Sequence, residues 1–201
     1  MTAIKFCGLR REEDISFVNE LKAEFAGFIM SPKFWRYVSP EDVRKLRKGL
    51  NGETKVIGVF VDEDVSYVAG VINDGIIDIA QLHGSESEEY ISELREKTNG
   101  KAVITKVFLI KSDDDIAKAK ASLADYVLLD SGVGGTGETF DWELIKNIGR
   151  DYFLAGGLNA TNVKDAVDRF NPFAVDVSSG VETDKIKDFK KMEAFAKAVR
   201  G

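Results

Sequence analysis

The chain has 201 residues, of which 44% are hydrophobic and 31% are charged, with one cysteine and one histidine. This composition is typical of a globular protein and excludes a disulfide framework, a cysteine-rich zinc site and a multi-histidine metal centre. The formal net charge of −6 speaks against nucleic-acid binding. No segment approaches a membrane span of about 18 apolar residues, and the N-terminus lacks the apolar run of a signal peptide. We therefore expect a cytoplasmic protein with a reduced thiol and no membrane partner.

Eight short segments rich in Val, Ile and Phe recur along the chain and are bounded by polar residues or glycine. We predict strands at residues 3–8, 25–30, 55–61, 76–83, 102–109, 126–130, 152–156 and 173–178. Several of these segments are continuous apolar runs instead of alternating patterns. Such runs are typical of strands that are covered on both faces, and they favour a parallel sheet.

Helical patterns fill the gaps between the strands. The clearest is the last, where an apolar stripe recurs at spacings of three and four through Ile186, Phe189, Met192, Phe195 and Val199.

Helix starts are marked by capping residues. Ser39 followed by Pro40 offers an N-cap and a proline at the first helical position. Asp141 and Asn159 are predicted to cap later helices.

Eight strand–helix units in sequence, with no linker between them, predict a closed (β/α)8 barrel. We expect residues 1–201 to form this barrel as a single compact domain with short loops, since about 250 residues is usual for the fold. An open doubly wound sheet is the alternative.

Active sites of such barrels lie at the C-terminal ends of the strands. Strand alternation decides which side chains point inward there, and on the first strand it directs Ile4 and Phe6 toward the helices instead. The polar residues predicted to point inward are Lys5, Cys7, Gln81, His83, Asp130, Asp176 and Ser178. An apolar core does not require polar residues in these positions, whereas a functional site would explain them. We also expect Lys106 and Asp176 to form an interior ion network.

Two glycine-rich segments follow the seventh and eighth strands, where barrels commonly bind phosphate through backbone N–H groups. We predict a phosphate site formed by Gly156, Gly157, Ser178, Ser179 and Gly180. The alternative is that these glycines only form turns.

A third glycine-rich segment, residues 131–137, follows the sixth strand. We interpret it as a loop that covers the substrate, and a plain flexible connection is the alternative.

Short motifs lie in order along nearly the whole chain. They are K-x-C-G at 5–8, R-Y-V-S-P at 36–40, G-V-F-V at 58–61, Q-L-H-G at 81–84, L-L-D at 128–130, G-T-G at 135–137, F-D-W at 140–142, A-G-G-L-N at 155–159 and V-D-V-S-S-G-V-E at 175–182. Together they resemble the motifs of the phosphoribosylanthranilate isomerase family. The glycine and serine loops are shared widely among phosphate-binding barrels, but the combination with K-x-C-G and Q-L-H-G is specific.

The resemblance implies the Amadori rearrangement of N-(5-phosphoribosyl)anthranilate to 1-(2-carboxyphenylamino)-1-deoxyribulose 5-phosphate in tryptophan biosynthesis, without a metal or cofactor. It implies that Asp130 is the general acid and Cys7 the general base. Arg36 would bind the anthranilate carboxylate, because its planar guanidinium can contact both oxygens. His83 would line the substrate site and order the barrel mouth, and proton transfer is the alternative for this residue. The small-molecule substrate is the expected partner, and the chain is expected to be a monomer or a homodimer.

Phe34 and Trp35 depart from the family pattern, which usually has smaller or polar residues just before the arginine of R-Y-V-S-P. They either wall the anthranilate ring or serve packing alone. Two other functions compete with the isomerase. One is a different phosphosugar enzyme, such as a ribulose-phosphate epimerase or indole-glycerol-phosphate synthase, and the other is a barrel that binds a phosphosugar without turnover. Cys7 and Asp130 also have plainer alternatives, as a small buried hydrophobe and a loop residue.

Overall fold

A computed structural model describes residues 1–130, 145 and 148–201 of the chain. Eight parallel strands pair in chain order, and the first pairs with the eighth to close a barrel. The strands are β1 (Ala3–Cys7), β2 (Phe25–Ile29), β3 (Lys55–Phe60), β4 (Ile79–Leu82), β5 (Val103–Leu109), β6 (Tyr126–Asp130), β7 (Tyr152–Leu154) and β8 (Ala174–Val177). The predicted (β/α)8 barrel is confirmed.

Seven α-helices lie within the described ranges, and each follows a barrel strand. They are α1 (Glu12–Glu20), α2 (Pro40–Arg47), α3 (Val65–Asn73), α4 (Glu88–Lys97), α5 (Asp113–Ala121), α6 (Val163–Phe170) and α7 (Phe189–Arg200). None of the helices described is long and apolar enough to cross a membrane. The predicted covering loop at 131–137, the motifs at 135–137 and 140–142 and the helix cap Asp141 lie outside the described residues.

The predicted start of α2 is confirmed, since the Ser39 hydroxyl accepts a hydrogen bond from the Asp42 amide at 3.1 Å and Pro40 is the first helical residue. The prediction for Asn159 is wrong. Its side chain accepts from the Thr161 amide at 2.8 Å and so caps a turn, and α6 begins only at Val163.

The last helix starts later than its apolar stripe predicts. Ile186 lies outside it, in a short hairpin of β9 (Glu182–Thr183) and β10 (Ile186–Lys187), and its side chain is exposed. Two residues with positive φ, Asp184 and Lys185, reverse the chain there. Asp188 then caps α7 by accepting from the amide of its third residue.

The fourth strand is shorter than predicted. Ile76 and Ile77 are buried but precede the strand, which begins at Ile79. Asp78 is tied to Val56 at this point by two hydrogen bonds: its amide donates to the Val56 carbonyl at 2.9 Å, and its carboxylate accepts from the Val56 amide at 2.7 Å.

An aromatic cluster fills the barrel interior at the N-terminal ends of the strands. Its members are Phe25, Tyr126, Phe153 and Phe173, whose ring centroids lie 5.1 to 6.1 Å apart in the contacting pairs. Side chains on the opposite faces of the strands pack against the helices, as Phe6 of β1 does against Phe195 of α7. Apolar packing thus occupies the lower half of the barrel and its outer layer, and the polar side chains of the interior lie toward the C-terminal strand ends.

Candidate active site

A cavity of about 250 Å³ opens at the C-terminal ends of the strands. The predicted site residues all line it: Cys7, Arg36, His83, Asp130, Gly156, Gly157, Ser178, Ser179 and Gly180. Gln81 and Asp176 line it as well. The structure therefore brings together residues from six strand ends that are far apart in sequence.

A second cavity of about 220 Å³ adjoins the first, since Ile29, Arg36, Val59 and His83 line both. Its remaining lining residues are Phe34, Trp35 and Val61, so its wall is mainly apolar. We call the two spaces the polar lobe and the apolar lobe. Together they form an elongated site with groups suited to an anion at one end and to an aromatic ring at the other.

Sequence reasoning missed Ile29, Val59 and Val61 as site residues. The alternation rule that places Cys7 inward also places Val59 and Val61 on the inward face of β3 and its extension, with Ile57 below them in the barrel interior. The inward direction of Val59 and Val61 could thus be read from the sequence, but apolar residues at strand ends cannot be distinguished from core residues by their type.

Cys7 ends β1 with its side chain buried against Lys5 and Gly27. A Cβ at Gly27 would lie 3.0 Å from both the Cys7 Sγ and the Lys5 Cε, so glycine is what lets these two side chains lie next to each other. Burial raises the pKa of the Cys7 thiol, the Lys5 charge opposes this, and the Asp176 carboxylate adds to it. Burial outweighs the neighbouring ammonium, and the resting group is the thiol.

We expect iodoacetamide to alkylate Cys7 slowly at pH 7 and faster as the pH rises, with a midpoint above about 8.5, the ordinary thiol pKa. Only the thiolate reacts, and Cys7 is the one cysteine in the sequence, so mass spectrometry of the intact chain reports on it alone. Asp176→Asn removes a negative charge that raises this pKa, and its midpoint is expected at lower pH. A wild-type midpoint below 8.5, or an upward shift in the variant, contradicts the assignment.

A buried polar network lies beneath the polar lobe. The Lys5 ammonium, fully buried, donates to Gln81 Oε1 at 2.7 Å and to Asp176 Oδ2 at 2.8 Å. The predicted link between Lys106 and Asp176 is wrong, because Lys106 donates instead to Glu86 at 2.7 Å. Asp176 is paired with β1 by the strand register, which sets Lys5 opposite it.

This network orders the His83 ring. The Lys5 ammonium is only a donor, so the oxygen of the Gln81 amide faces it and the NH₂ group faces His83 Nδ1, 3.4 Å away. Nδ1 then accepts, which places the ring proton on Nε2, 4.0 Å from Asp130 Oδ2. Burial lowers the pKa of His83, and Asp130 opposes the shift. A neutral His83 whose Nε2–H faces Asp130 is suited to ordering the side chains at the barrel mouth.

The two glycine-rich loops meet across the polar lobe. Gly156 and Gly157 have φ of 96° and 64°, in the region that favours glycine, and within the described ranges their N–H groups donate to no protein acceptor. A short 3-10 turn at Ser179–Val181 follows β8, and Gly180 packs so closely on the Leu158 carbonyl that a Cβ would collide with it. Exposed backbone donors on two touching loops are the groups that bind phosphate.

Arg36 lies between the lobes and is tightly surrounded. Its Nε and Nη2 donate to the two oxygens of Glu182, at 3.2 and 2.7 Å, and its guanidinium carbon lies 4.2 Å from the centroid of the Trp35 ring. Gly8, at φ 78°, passes so close that a Cβ would lie 2.8 Å from the Arg36 Cδ. Sequence reasoning missed Glu182, although it ends the V-D-V-S-S-G-V-E motif.

Glu182 also accepts a hydrogen bond from the buried Lys187 ammonium at 2.8 Å. Burial raises the pKa of Glu182, but hydrogen bonds from Arg36 and Lys187 outweigh this and hold it below its usual range. Burial lowers the pKa of Lys187, and Glu182 opposes the shift. The carboxylate is therefore ionised between two cations.

Comparisons with known proteins agree with this geometry. The family model described as N-(5'phosphoribosyl)anthranilate (PRA) isomerase matches residues 4–198. A curated N-(5'-phosphoribosyl)anthranilate isomerase of Thermoanaerobacter sp. (strain X514) is 41% identical, with 100% of this chain and 99% of the relative covered. The crystal structure of phosphoribosyl anthranilate isomerase from Thermotoga maritima superposes with a TM-score of 0.90 at 36% identity, covering 100% of this chain and 99% of that one.

A further crystal structure of phosphoribosyl anthranilate isomerase has a TM-score of 0.87 at 35% identity, with 100% of this chain and 99% of that one covered. That protein was solved in complex with reduced 1-(o-carboxyphenylamino)-1-deoxyribulose 5-phosphate. The chain therefore belongs to the N-(5'-phosphoribosyl)anthranilate isomerase family and is an isomerase of tryptophan biosynthesis, as the family match, the full-length relatives and the superposed barrels show.

Proposed function

We propose that the chain converts N-(5-phosphoribosyl)anthranilate to 1-(2-carboxyphenylamino)-1-deoxyribulose 5-phosphate by acid–base catalysis, with Asp130 as the acid and Cys7 as the base. The observation that carries this is the continuous pair of lobes, in which one mouth offers backbone donors, an acid, a thiol and an apolar wall beside an arginine. A substrate with a phosphate at one end and a carboxylated aromatic ring at the other matches that order of groups.

The reaction assigns one proton to each of the two residues. Asp130 gives a proton to the furanose ring oxygen, the C1–O bond breaks, and the open chain becomes a Schiff base. The thiolate of Cys7, which is the minor form at neutral pH because burial raises the pKa of the thiol, removes the C2 proton and leaves an enolamine. The enolamine becomes the ketone when C1 gains a proton and the C2 hydroxyl loses one. Cys7 and Asp130 are on β1 and β6, which lie on different sides of the barrel, so they can reach the sugar from two sides.

The two ends of the substrate fix its direction in the site. The glycine loops after β7 and β8 bind the phosphate, with Gly156, Gly157, Ser178, Ser179 and Gly180 as the binding residues. The anthranilate ring lies in the apolar lobe against Phe34 and Val59, and its carboxylate faces Arg36. The ribose then spans the polar lobe, where His83 orders the mouth beside the reacting carbons.

The decisive experiment follows anthranilate-type fluorescence when the purified chain meets freshly made substrate. Turnover removes this fluorescence, and we expect a first-order loss that scales with enzyme concentration. Binding without any loss of fluorescence would instead support a phosphosugar-binding barrel without activity.

We expect Arg36→Ala to raise KM by about 10- to 100-fold, because it removes a charge-assisted bidentate contact worth about 1.5–3 kcal/mol. The fall in kcat should be smaller, about tenfold, because losing this contact also loosens the alignment of the sugar with the acid and the base. Steady-state fluorescence kinetics measure both. Arg44→Ala is the matched control, because that arginine pairs with Asp74 on exposed helix surfaces and its loss should leave KM unchanged. An unchanged KM in Arg36→Ala would refute the carboxylate contact.

We further propose that residues 1–201 act as one domain in the cytoplasm, as a monomer or homodimer, with the phosphosugar substrate as partner and no cofactor. A relative from Thermotoga maritima is described as dimeric. Light scattering on the purified chain distinguishes the two assembly states. Activity that survives exhaustive treatment with a chelator tests the metal-free mechanism.

A further inference from the structure

Glu182 and Lys187 lie beside Arg36, and the proposed proton transfers do not use them. Their side chains are only 7% and 2% exposed. They face each other across the β9–β10 hairpin, where Lys187 pairs with Glu182 in register. The Lys187 ammonium donates to Glu182 Oε1 at 2.8 Å and to the Ser178 carbonyl at 2.9 Å. A cluster in which a buried carboxylate and a buried ammonium lie against a partly exposed arginine needs an explanation, because desolvating charges is costly.

Glu182 occupies one edge of the Arg36 guanidinium. A guanidinium carries five N–H donors, and two of them, on Nε and Nη2, are bound to Glu182. Within the described ranges the remaining donors, on Nη1 and Nη2, bind no protein acceptor. With Trp35 against one face of the group, its rotation is restricted and its outer edge stays available for a second carboxylate.

The net charge of the cluster also favours the binding of a carboxylate ligand. An Arg36–Glu182 pair alone is neutral and offers little attraction to a carboxylate ligand. Lys187 adds a second cation, so the cluster keeps one net positive charge next to the open edge of Arg36. Its second hydrogen bond, to the Ser178 carbonyl, ties this charge to the first residue of the phosphate loop.

We propose that Glu182 and Lys187 are positioning residues that hold Arg36 at a fixed distance from the phosphate loop and keep the cluster cationic for the substrate carboxylate. The inference rests on the proposed function, since it takes Arg36 as the residue that binds that carboxylate. Glu182 sets the direction of the guanidinium, and Lys187 offsets the charge of Glu182.

The test is isothermal titration calorimetry of the intact chain with two ligands. One is reduced 1-(o-carboxyphenylamino)-1-deoxyribulose 5-phosphate, and the other is the same compound made from aniline, without the carboxylate. We expect Lys187→Met to weaken the first about tenfold and the second less than about twofold. The double variant Glu182→Gln/Lys187→Met, whose cluster again carries one positive charge, should recover the first ligand to within about threefold of wild type.

Control variants distinguish a failure of the proposed carboxylate contact from a failure of the positioning role. Lys197→Met removes the same charge from the exposed face of α7 and should change neither affinity. If Arg36→Ala does not weaken the carboxylated ligand selectively, the proposed carboxylate contact fails. If it does so but Lys187→Met weakens both ligands equally or neither, or the double variant does not recover, the inference alone is overturned.

If Lys187→Met does not fold, Glu182→Gln tests the positioning role instead. Glutamine keeps the size of the side chain but accepts only through one oxygen, so Arg36 is held less firmly while the cluster becomes more positive. We expect kcat to fall about tenfold with KM unchanged or lower. Unchanged kcat, or a rise in KM with kcat intact, would contradict a positioning role.

Discussion

Cys7→Ala is expected to lower kcat by about 10²- to 10⁴-fold, the usual contribution of a general base, with little change in KM. The thiol is buried at the end of β1, lines the polar lobe and is the group proposed to remove the C2 proton. Stopped-flow fluorescence on freshly made substrate measures kcat, and calorimetry with the reduced product analogue checks that binding survives.

Two variants make this test specific. Cys7→Ser keeps the volume but replaces the thiol with a hydroxyl that scarcely ionises, so it should be as inactive as the alanine variant. Thr105→Ala removes a buried hydroxyl that has no partner in the described ranges and does not line the cavity, and it should retain full kcat. Substantial activity in both Cys7 variants would show that another group takes the proton.

Asp130→Asn is expected to cause a loss of similar size, about 10²- to 10⁴-fold in kcat. Asparagine has the shape of the carboxyl group and can hydrogen-bond the ring oxygen, but it cannot transfer a proton to it. The loss should therefore fall on kcat and spare KM, as the same fluorescence assay measures.

The matched control for this variant lies at the other end of the same sheet. Asp125→Asn alters a carboxylate that accepts from the Ile104 amide and pairs with Arg95, away from the mouth. This change should lower thermal stability modestly and leave kcat intact. A catalytically normal, folded Asp130→Asn would overturn the assignment of the acid.

The positions of Cys7 and Asp130 at the barrel mouth could be predicted because they depend on simple rules, whereas their proposed roles come from the family resemblance. Cys7 and Asp130 each end a strand that composition marks clearly, and barrel sites lie at those ends. The glycine loops were predictable for the same reason. Alternation along β1 also placed Lys5 and Cys7 on one face, as the structure has them.

Features that depend on register between distant segments could not be predicted. Asp176 pairs with Lys5 and not Lys106 because β8 lies next to β1 in the closed barrel, whereas β6 and β7 separate it from β5. The contact of Glu182 with Arg36 likewise joins segments 146 residues apart. Ile186 fitted the helical stripe by spacing alone, but the two positive-φ residues before it impose a hairpin that periodicity does not reveal.

The aromatic cluster at the lower end of the barrel has a kinetic consequence. Phe25, Tyr126, Phe153 and Phe173 pack against one another beneath the polar lobe and make it a blind-ended chamber. Among the described residues the polar lobe opens only at the C-terminal strand ends, so substrate and product use the same opening and each product molecule has to leave before the next substrate enters. Accumulated product is accordingly expected to act as a competitive inhibitor, and the rate of its escape sets an upper limit on turnover.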